Sequence, residues 1–572
     1  MKAKDVQVYP VTTDTRVLRS RTWDRLKFEI EYALQRGTTA NSYLIQADKI
    51  ALFDPPGESF TDIFLAALQK RLDPTTINYV ILGHVNPNRA VTLQALLQLA
   101  PQVTVVTSNP GAISLKKILE ESPSPNLKTI KGDETLDLGQ GHNLEFILTP
   151  SPRWPDRVCT YDPKTQILFT DKLFGAHVCG EQVFDEGWTV YDEDRRYYFD
   201  CLMAPHAIQT ENALEKLSEK PATLYATGHG PLVRYGLTEL TGRYKQWVQQ
   251  QKESKSNVAL IYASAYGSTA TLATAIARGI TKAGVAVQSI NCEFADPDEI
   301  KAAVEKADGF VMGSPTLGGH APTPIQTALG IVLATADKNK LYAVFGSYGW
   351  SGEAIDLLEQ KFKDAGYRQG FDPIRVKFKP TEVTLQYCEE AGTDFAQILK
   401  RRQKKRALKQ PTSDSQADRT EQAVGRVVGS LCVVTTQKGD LSNAMLASWV
   451  SQATFTPPGV TVAVAKERAI ESMLHSGDRF VLNILPEGKQ QLQKQFTKNY
   501  APGQDRFENI ETEMGNNGCP ILTDALAYLE CQVKDRMECG DHWLVYAVAD
   551  TGKVRDNEGV TAVHHRKSGS FY

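Results

Sequence analysis

The sequence predicts an α/β multidomain protein, and three observations carry that reading. Between residues 258 and 350, three apolar strand runs each end in a Gly-rich turn and lead into a helical pattern. Alternating βα units of that kind build a doubly wound parallel sheet. Before them lies a strand-rich series with interspersed helices, and after them short strands separated by Pro/Gly turns, the pattern of a barrel.

A chain of 572 residues has room for three or four domains. Its 41% hydrophobic and 23% charged residues are those of an ordinary globular protein, and a net charge of −3 argues against a general nucleic-acid binder. No apolar run reaches the length of about 20 residues that spans a bilayer. Met1–Asp5 lacks the apolar core of a secretory signal. Nine cysteines without a Cys-x-x-Cys pair fit a reducing, cytoplasmic setting with free thiols, Cys531 and Cys539 included. Two polar stretches mark joints: Gln249–Asn257, and Lys400 to about Gln422, which opens on a basic cluster ending at Arg406. Such composition buries no core and reads as linker, the basic run as a solvated helix end. The expected domains are 1–250, 256–400 and 423–572, with 401–422 as linker.

In the first domain, Asn41–Ile45 and Lys49–Gly57 read as a hairpin ending in a Pro/Gly turn, followed by a helix over 60–72. Strand signals recur at 77–82, 103–106, 144–148 and 166–170. Between the strand Ile77–Leu82 and the helix Ala90–Ala100 lies the loop Gly83-His84-Val85-Asn86-Pro87-Asn88-Arg89. This loop resembles the His-x-Glu-x-Asp-His metal loop of the metallo-β-lactamase-like αββα domain in flavodiiron proteins. The resemblance places further ligand positions at Arg153, Lys172 and His229, with Asp171 one residue from the bridging carboxylate position. Only His84 and His229 keep the ligand type. Asn86 and Asn88 replace carboxylates, Arg89 and Arg153 replace imidazoles, and Lys172 replaces the bridging Asp. Iron sites need neutral imidazoles and carboxylates. An Arg offers no lone pair, and a Lys ligates only when deprotonated. The expected pocket is therefore metal-free, with its cations held by Asp171, water or an anion. His177 and His206 read as structural.

In the middle domain, Val258–Ala263 leads into Ser264-Ala265-Tyr266-Gly267-Ser268-Thr269 and a helix over 270–283. Small hydroxyl residues and Gly at a helix N-terminus suit a phosphate. The strand Gly309–Gly313 ends in Ser314–Gly319, and Leu341–Gly346 in Ser347–Gly352. The three loops resemble the FMN loops of flavodoxin. The resemblance gives the phosphate to Ser264, Tyr266, Gly267, Ser268 and Thr269, one side of the isoalloxazine to Thr316, Leu317 and Gly318, and the other to Tyr348, Gly349 and Trp350.

In the last domain, strand-like runs occur at 427–436, 460–464, 478–485, 527–533 and 543–548. Asn443–Pro458 and Gly540-Asp541-His542 resemble the split β-barrel flavin reductases. That resemblance gives flavin contacts to Asn443, Met445, Ala447, Ser448, Ser451 and Gln452 and the nicotinamide side to His542, and leaves FMN or FAD open.

The domain order resembles the three-domain flavodiiron proteins of cyanobacteria, the A-type diflavin flavoproteins, over essentially the whole chain. In that family NAD(P)H reduces the C-terminal flavin, the flavodoxin-like FMN relays electrons singly, and a diiron centre reduces oxygen to water. Dimers pack head to tail. With its ligands replaced, this chain is expected to pass electrons to an iron-bearing paralogue in a homo- or hetero-oligomer. Two alternatives stay open: a stand-alone NAD(P)H:flavin or acceptor oxidoreductase, and a non-catalytic subunit. A hydrolase has neither metal ligands nor a nucleophile–base pair to work with.

Overall fold

The computed structural model describes residues 3–23, 36–119, 125–132, 134–407, 416–439, 441–497, 500 and 504–566. The middle of the expected linker, 408–415, lies outside them. The chain forms two compact units. One holds Met1–Ala277, Ala286–Arg368 and Pro373–Glu382; the other holds Arg278–Val285, Gln369–Asp372 and Val383–Tyr572.

In the first unit, seven strands pair in chain order: Asp5–Pro10, Thr15–Thr22, Thr38–Gln46, Ile50–Phe53, Ile77–Ile81, Thr104–Ser108 and Asn126–Ile130. The first four run antiparallel and the last four parallel. A second sheet of five places Thr135–Gly139, His142–Leu148, Val158–Asp162, Ile167–Asp171 and Leu224–Thr227 side by side. The strands read in the sequence are thus present, with ends displaced by a few residues from the apolar runs, because backbone pairing does not stop where apolar side chains do.

Alternation decides the layers. Tyr43, Phe53 and Ile81 face Phe146, Val158 and Phe169 across the sheets, and the Phe53 and Phe169 rings stack at 4.2 Å. The opposite faces carry Leu44, Leu52 and Val80 against Phe64, Leu68, Leu93 and Leu96 of one helical layer, and Tyr161 and Leu168 against Phe199, Tyr244 and Trp247 of the other. The result is the expected αββα sandwich. Four strand ends converge on one spot: after Phe53, after Ile81, at Asp171 and after Thr227.

The same unit holds a parallel sheet ordered Ala286–Asn291, Asn257–Tyr262, Gly309–Pro315, Leu341–Tyr348 and Ile374–Lys377. The strand order reverses beside Asn257–Tyr262, so the loops after it and after Gly309–Pro315 open a crevice at the carboxyl ends, where doubly wound sheets bind ligands.

The helix Glu382–Ala407 runs on through residues 400–406, so the basic run is a helix end, the reading given it above, and the helix extends into the span 401–422 set down as linker. A seven-stranded antiparallel sheet follows, ordered Leu441–Ala447, Cys432–Lys438, Arg479–Ile484, Ala527–Cys539, His542–Val554, Gly459–Ala465 and Val450–Thr454. Met445 and Ala447 from one end of that order share a core with Val460, Val462 and Val464 from the other, so the sheet curls on itself as the barrel reading expects. Val427 and Val428 are exposed and precede the first paired residues, Gly429 and Ser430. Among the described residues no helix is long and apolar enough to cross a membrane.

Candidate functional site

The convergent strand ends of the sandwich bring His84, Arg89, Asp171, Lys172 and His229 together, all buried. They also bring Asp54, which the sequence reading passed over as part of a Pro/Gly turn. Arg89 Nη1 donates to Asp171 Oδ1 at 3.0 Å and to Asp54 Oδ1 at 3.2 Å. Gly83 N adds a bond to Asp54 at 2.9 Å. Burial, followed by the neighbouring Asp171 charge, pushes the Asp54 carboxyl up to about 7. Burial acts the same way on Asp171, but Arg89, then Lys172, His84 and His229, outweigh it and hold that carboxyl below its ordinary range. Two carboxylates thus share one guanidinium, and Asp54 keeps the proton more readily.

The histidines are wired as metal ligands usually are, with Nδ1 fixed by a polar partner. His229 Nδ1 lies 2.7 Å from the carbonyl of Thr39. A carbonyl can only accept, so Nδ1 carries the proton and Nε2 carries the lone pair. Lys172 Nζ sits 3.1 Å from that Nε2, so the ammonium donates to its lone pair. His84 Nδ1 faces Asp156 Oδ1 at 3.0 Å, and Val85 N donates to the other carboxylate oxygen at 2.7 Å. Asp156 was likewise missed. The Asp-x-Val-x-x-x-Asp spacing around it carries no recognisable sequence signal.

The remaining expected positions are placed differently. Asn86 caps the helix Pro87–Leu99, its side chain accepting from Arg89 N at 2.9 Å with Pro87 at the first turn. Asn88 is half-buried in that turn. Arg153, which the resemblance set among the pocket's cations, has contacts away from Asp171. It is half-buried, donates to Thr274 Oγ1 and lies over the Trp154 ring at 5.2 Å. The reason is local: the turn Ser151–Trp154 is closed by Trp154, whose ring fills the space against His84 at 5.9 Å. His177, read as structural, packs on His229 at 4.6 Å and bonds Thr38 Oγ1 at 2.7 Å.

Asp171 reaches the cluster because two glycines make room. A Cβ on Gly83 would lie 2.9 Å from Asp171 Cβ, and one on Gly228 would lie 2.8 Å from the Asp171 carbonyl oxygen. Asp171 itself has φ 44°, and the pairing of its strand shifts register there. Beside that shift, Asp171 bonds Arg89 while Lys172 lies against His229. Among the described residues no three His, Cys, Asp or Glu side chains are grouped to hold a metal ion. The donor set does not fit two irons.

At the crevice of the parallel sheet, Ser264 Oγ accepts from Ala270 N at 3.1 Å and Thr269 Oγ1 meets Ser347 Oγ at 2.8 Å, tying the first loop to the third strand. Gly267 has φ 82° and opens the helix Ser268–Lys282. Ser268 is half-buried at that N-terminus. Thr316 Oγ1 is buried and has no protein partner. A Cβ on Gly318 or Gly319, both at positive φ, would meet nothing within 4 Å. Tyr266 and Trp350 are 90% and 89% exposed, so neither is a core aromatic, and Leu317 is exposed beside them. Tyr348 is half-buried and packs on the core; Gly349 follows it, and Trp350 meets Phe378 edge-on at 6.2 Å. An orphan hydroxyl, open glycines and aromatics held in water are what a flat aromatic ligand with a phosphate tail would satisfy. Glu293 is an addition the sequence did not signal: its carboxylate accepts from Ser264 N at 3.3 Å, and burial raises its pKa.

In the barrel, the side chains of Met445 and Ala447 lie in the core, leaving only their backbone to face a ligand. Ser448 is buried, and Ser451 and Gln452 are exposed. Asn443 is buried, its Nδ2 3.5 Å from Glu390 of the helix Glu382–Ala407, and its Oδ1 has no partner. His542 packs at a tilt against Trp449, ring centres 4.8 Å apart, and donates from Nδ1 to Asp541 at 2.7 Å. Beside Glu390 opens a cavity of about 480 Å³, bordered by Tyr387, Asp394, Arg401, Arg468 and Arg506. Burial, then Glu390, pushes the Asp394 carboxyl up to about 6. Helical spacing from 387 to 401 was the signal that could have found this face.

Residues 38–230 match the ODP family beta lactamase, 260–392 match flavodoxin, and 424–570 match the flavin reductase like domain. Diflavin flavoprotein A 6 of Nostoc sp. (strain PCC 7120) is 69% identical, covering 100% of this chain and 99% of its own. Diflavin flavoprotein A 1 of Synechocystis sp. (strain PCC 6803) is 46% identical, over 100% of this chain and 98% of its own. Among solved structures, the metal-soaked Flv1 flavodiiron core from Synechocystis sp. PCC6803 aligns with a TM-score of 0.69 at 68% identity, covering 70% of this chain and all of that one.

Proposed function

The chain belongs to the three-domain flavodiiron family of cyanobacterial A-type diflavin flavoproteins, which are flavin-dependent oxidoreductases, and on that premise we propose that it is the electron-delivering, metal-poor member of a hetero-oligomer. In this reading NAD(P)H meets the barrel domain, where His542 borders the nicotinamide and the backbone of Asn443–Ser448 holds an FMN or FAD. The flavodoxin-like crevice holds FMN, with Ser264, Ser268 and Thr269 around the phosphate, Thr316 bonding the ring system and Trp350 covering it. A bound flavin accepts a hydride as two electrons and gives them up singly. Carrying both flavin domains on one chain raises their effective concentration for each other. Oxygen reduction to water then falls to a paralogue whose pocket keeps its ligands.

One observation carries the reading: Lys172 donates its ammonium to the Nε2 of His229, while Arg89 lies between Asp54 and Asp171. Arg89 and Lys172 thus have partners within the chain itself, which supports a pocket that works without iron. The test is metal and flavin analysis of one purified sample, with NAD(P)H oxidation and oxygen uptake measured alone and after mixing with an iron-bearing paralogue. The expected result is bound flavin, iron far below stoichiometry, slow peroxide-forming turnover alone, and four-electron oxygen reduction in the mixture. Robust oxygen reduction to water by the lone chain with a full complement of iron would sink the proposal. Turnover unchanged by the paralogue but rapid with a soluble flavin would instead point to a stand-alone reductase.

A further inference from the structure

We propose that the cavity of about 480 Å³ beside Glu390 binds a nucleoside diphosphate, in turnover the ADP half of the nicotinamide dinucleotide. The assignment to NAD(P)H rests on the reading that it meets the barrel domain. The cavity lies wholly within the second unit, and its volume is that of a site for a small organic ligand. One wall is a face of the helix Glu382–Ala407, where Tyr387, Glu390, Asp394 and Arg401 recur at spacings of three, four and seven residues. Residues 467–469 of the barrel and the segment carrying Tyr500 and Arg506 form further walls, and Asp372 completes the lining.

The charges of that lining select the ligand. Three guanidiniums, Arg401, Arg468 and Arg506, line the space together with four carboxylates, Asp372, Glu390, Asp394 and Glu467. Arg506 Nη2 reaches Glu390 only at 3.8 Å. Among the described residues nothing hydrogen-bonds the Asp394 carboxylate, although Glu390, Arg506 and Arg401 all lie close enough to act on its charge. A ligand of one sign is repelled by part of such a lining, and an apolar ligand leaves it unsatisfied. A nucleotide meets both signs. Its phosphates take the Arg donors, and its ribose hydroxyls donate to carboxylates, which can only accept. Half-buried Tyr387 adds a ring for the base to pack on. The place of the cavity supplies the link to the hydride donor. Residues 467–469 follow closely on Ala465, the strand partner of His542, and Lys466 N donates to the Asp541 carbonyl at 2.9 Å. Asn443 Nδ2, in the stretch read as flavin-binding, lies 3.5 Å from Glu390. The cavity therefore adjoins both the His542 turn and the flavin stretch.

The experiment uses the full, flavin-loaded chain as native protein, Arg506→Gln and Arg401→Gln. Calorimetry follows titration with ADP, and absorbance follows anaerobic flavin reduction by NADH and by NADPH, with and without ADP. The expected result is ADP binding to the native chain in competition with the dinucleotide. In the variants, ADP affinity and kcat/KM for the dinucleotide should fall together, each by about tenfold, as for one lost charge-assisted hydrogen bond. If Arg506→Gln does not fold, Arg401→Gln decides, since Arg401 is exposed and bonds Gln397 at 3.4 Å. Flavin reduction by NAD(P)H with no ADP binding and native kcat/KM in the variants overturns the site and leaves the reading of the barrel intact. ADP binding without competition overturns the assignment to the hydride donor. FAD carries the same ADP half, so the released flavin is identified: an FAD-loaded chain that takes up no ADP gives the cavity to the flavin and overturns that assignment too. Flavin reduction by neither dinucleotide defeats the reading of the barrel, while ADP binding weakened in Arg401→Gln still supports the nucleotide site.

Discussion

Lys172 and Arg89 do at the residue scale what a metal does in a ligand-bearing pocket: they place positive charge against a lone pair and against carboxylates. Replacing Arg89 by Met leaves Asp54 and Asp171 facing each other without the guanidinium that bonds both. The loss expected from breaking a buried pair is about 3 kcal/mol, read as a fall in the denaturant midpoint at pH 8. Asp54 gives the pocket a pH dependence. Its carboxyl titrates near 7 in the fold against an ordinary value of 3.8, so the folded state binds more protons between those values. Stability from this group therefore falls as pH rises through that window and stays low above it. Asn resembles the protonated acid, so the melting temperature of Asp54→Asn relative to the native chain should climb from pH 5 to pH 8. A difference that is flat in pH would contradict the assignment. Asn86, by contrast, keeps a role that needs no metal, since its amide caps a helix.

At the scale of elements, the pocket depends on how closely strand ends approach. Gly228→Ala would drive a methyl group onto the Asp171 carbonyl, and Gly83→Ala would drive one onto the Asp171 side chain. Each should cost about 1–3 kcal/mol in chemical denaturation, as overpacking does elsewhere. The flavodoxin-like loops make the opposite prediction. Trp350 and Thr316 support almost nothing within the protein, so Trp350→Ala and Thr316→Val should leave stability near native. FMN affinity should fall, by roughly threefold to tenfold for each, from lost stacking or one lost hydrogen bond. Titration of the deflavinated chain with FMN measures this; affinity unchanged in both variants would remove these loops from the site. These loops were legible because a Gly-rich turn after a buried strand has a local signature. Asp54, Asp156 and Glu293 were not, because each becomes a site residue only through a partner 29 to 72 positions away.

At the scale of the whole molecule, the chain's three sequence segments fold as two compact units, and the second draws in Arg278–Val285 from the middle segment. Glu471 explains how those residues are held: it is buried among Arg536 at 3.1 Å, Arg278 at 3.6 Å and Lys282 at 3.9 Å. Burial opposes its ionisation, but Arg536 first and Arg278 next hold its carboxyl down to about 2. Its stabilisation is therefore present above the ordinary glutamate value of 4.5 and is lost as pH falls towards 2. Glu471→Gln should destabilise the second unit by about 3–5 kcal/mol, because it leaves buried cations uncompensated. Differential scanning calorimetry at pH 7 would show an earlier second transition and should show the gap closing in acid. What the sequence determined by itself is whatever is written locally: the periodicities behind a strand-rich domain, a doubly wound sheet and a barrel, the glycine-rich loops, and the basic residues Arg89, Arg153 and Lys172, with the αββα sandwich implied by the family resemblance. What only the tertiary structure decided is which of those substitutions meet. Lys172 reaches His229 and Arg89 reaches Asp54 and Asp171, while Arg153 turns towards Thr274. Electrostatic pairing falls off within a few ångströms, so a side chain's role is set by its neighbours in space, and sequence distance carries almost no information about them.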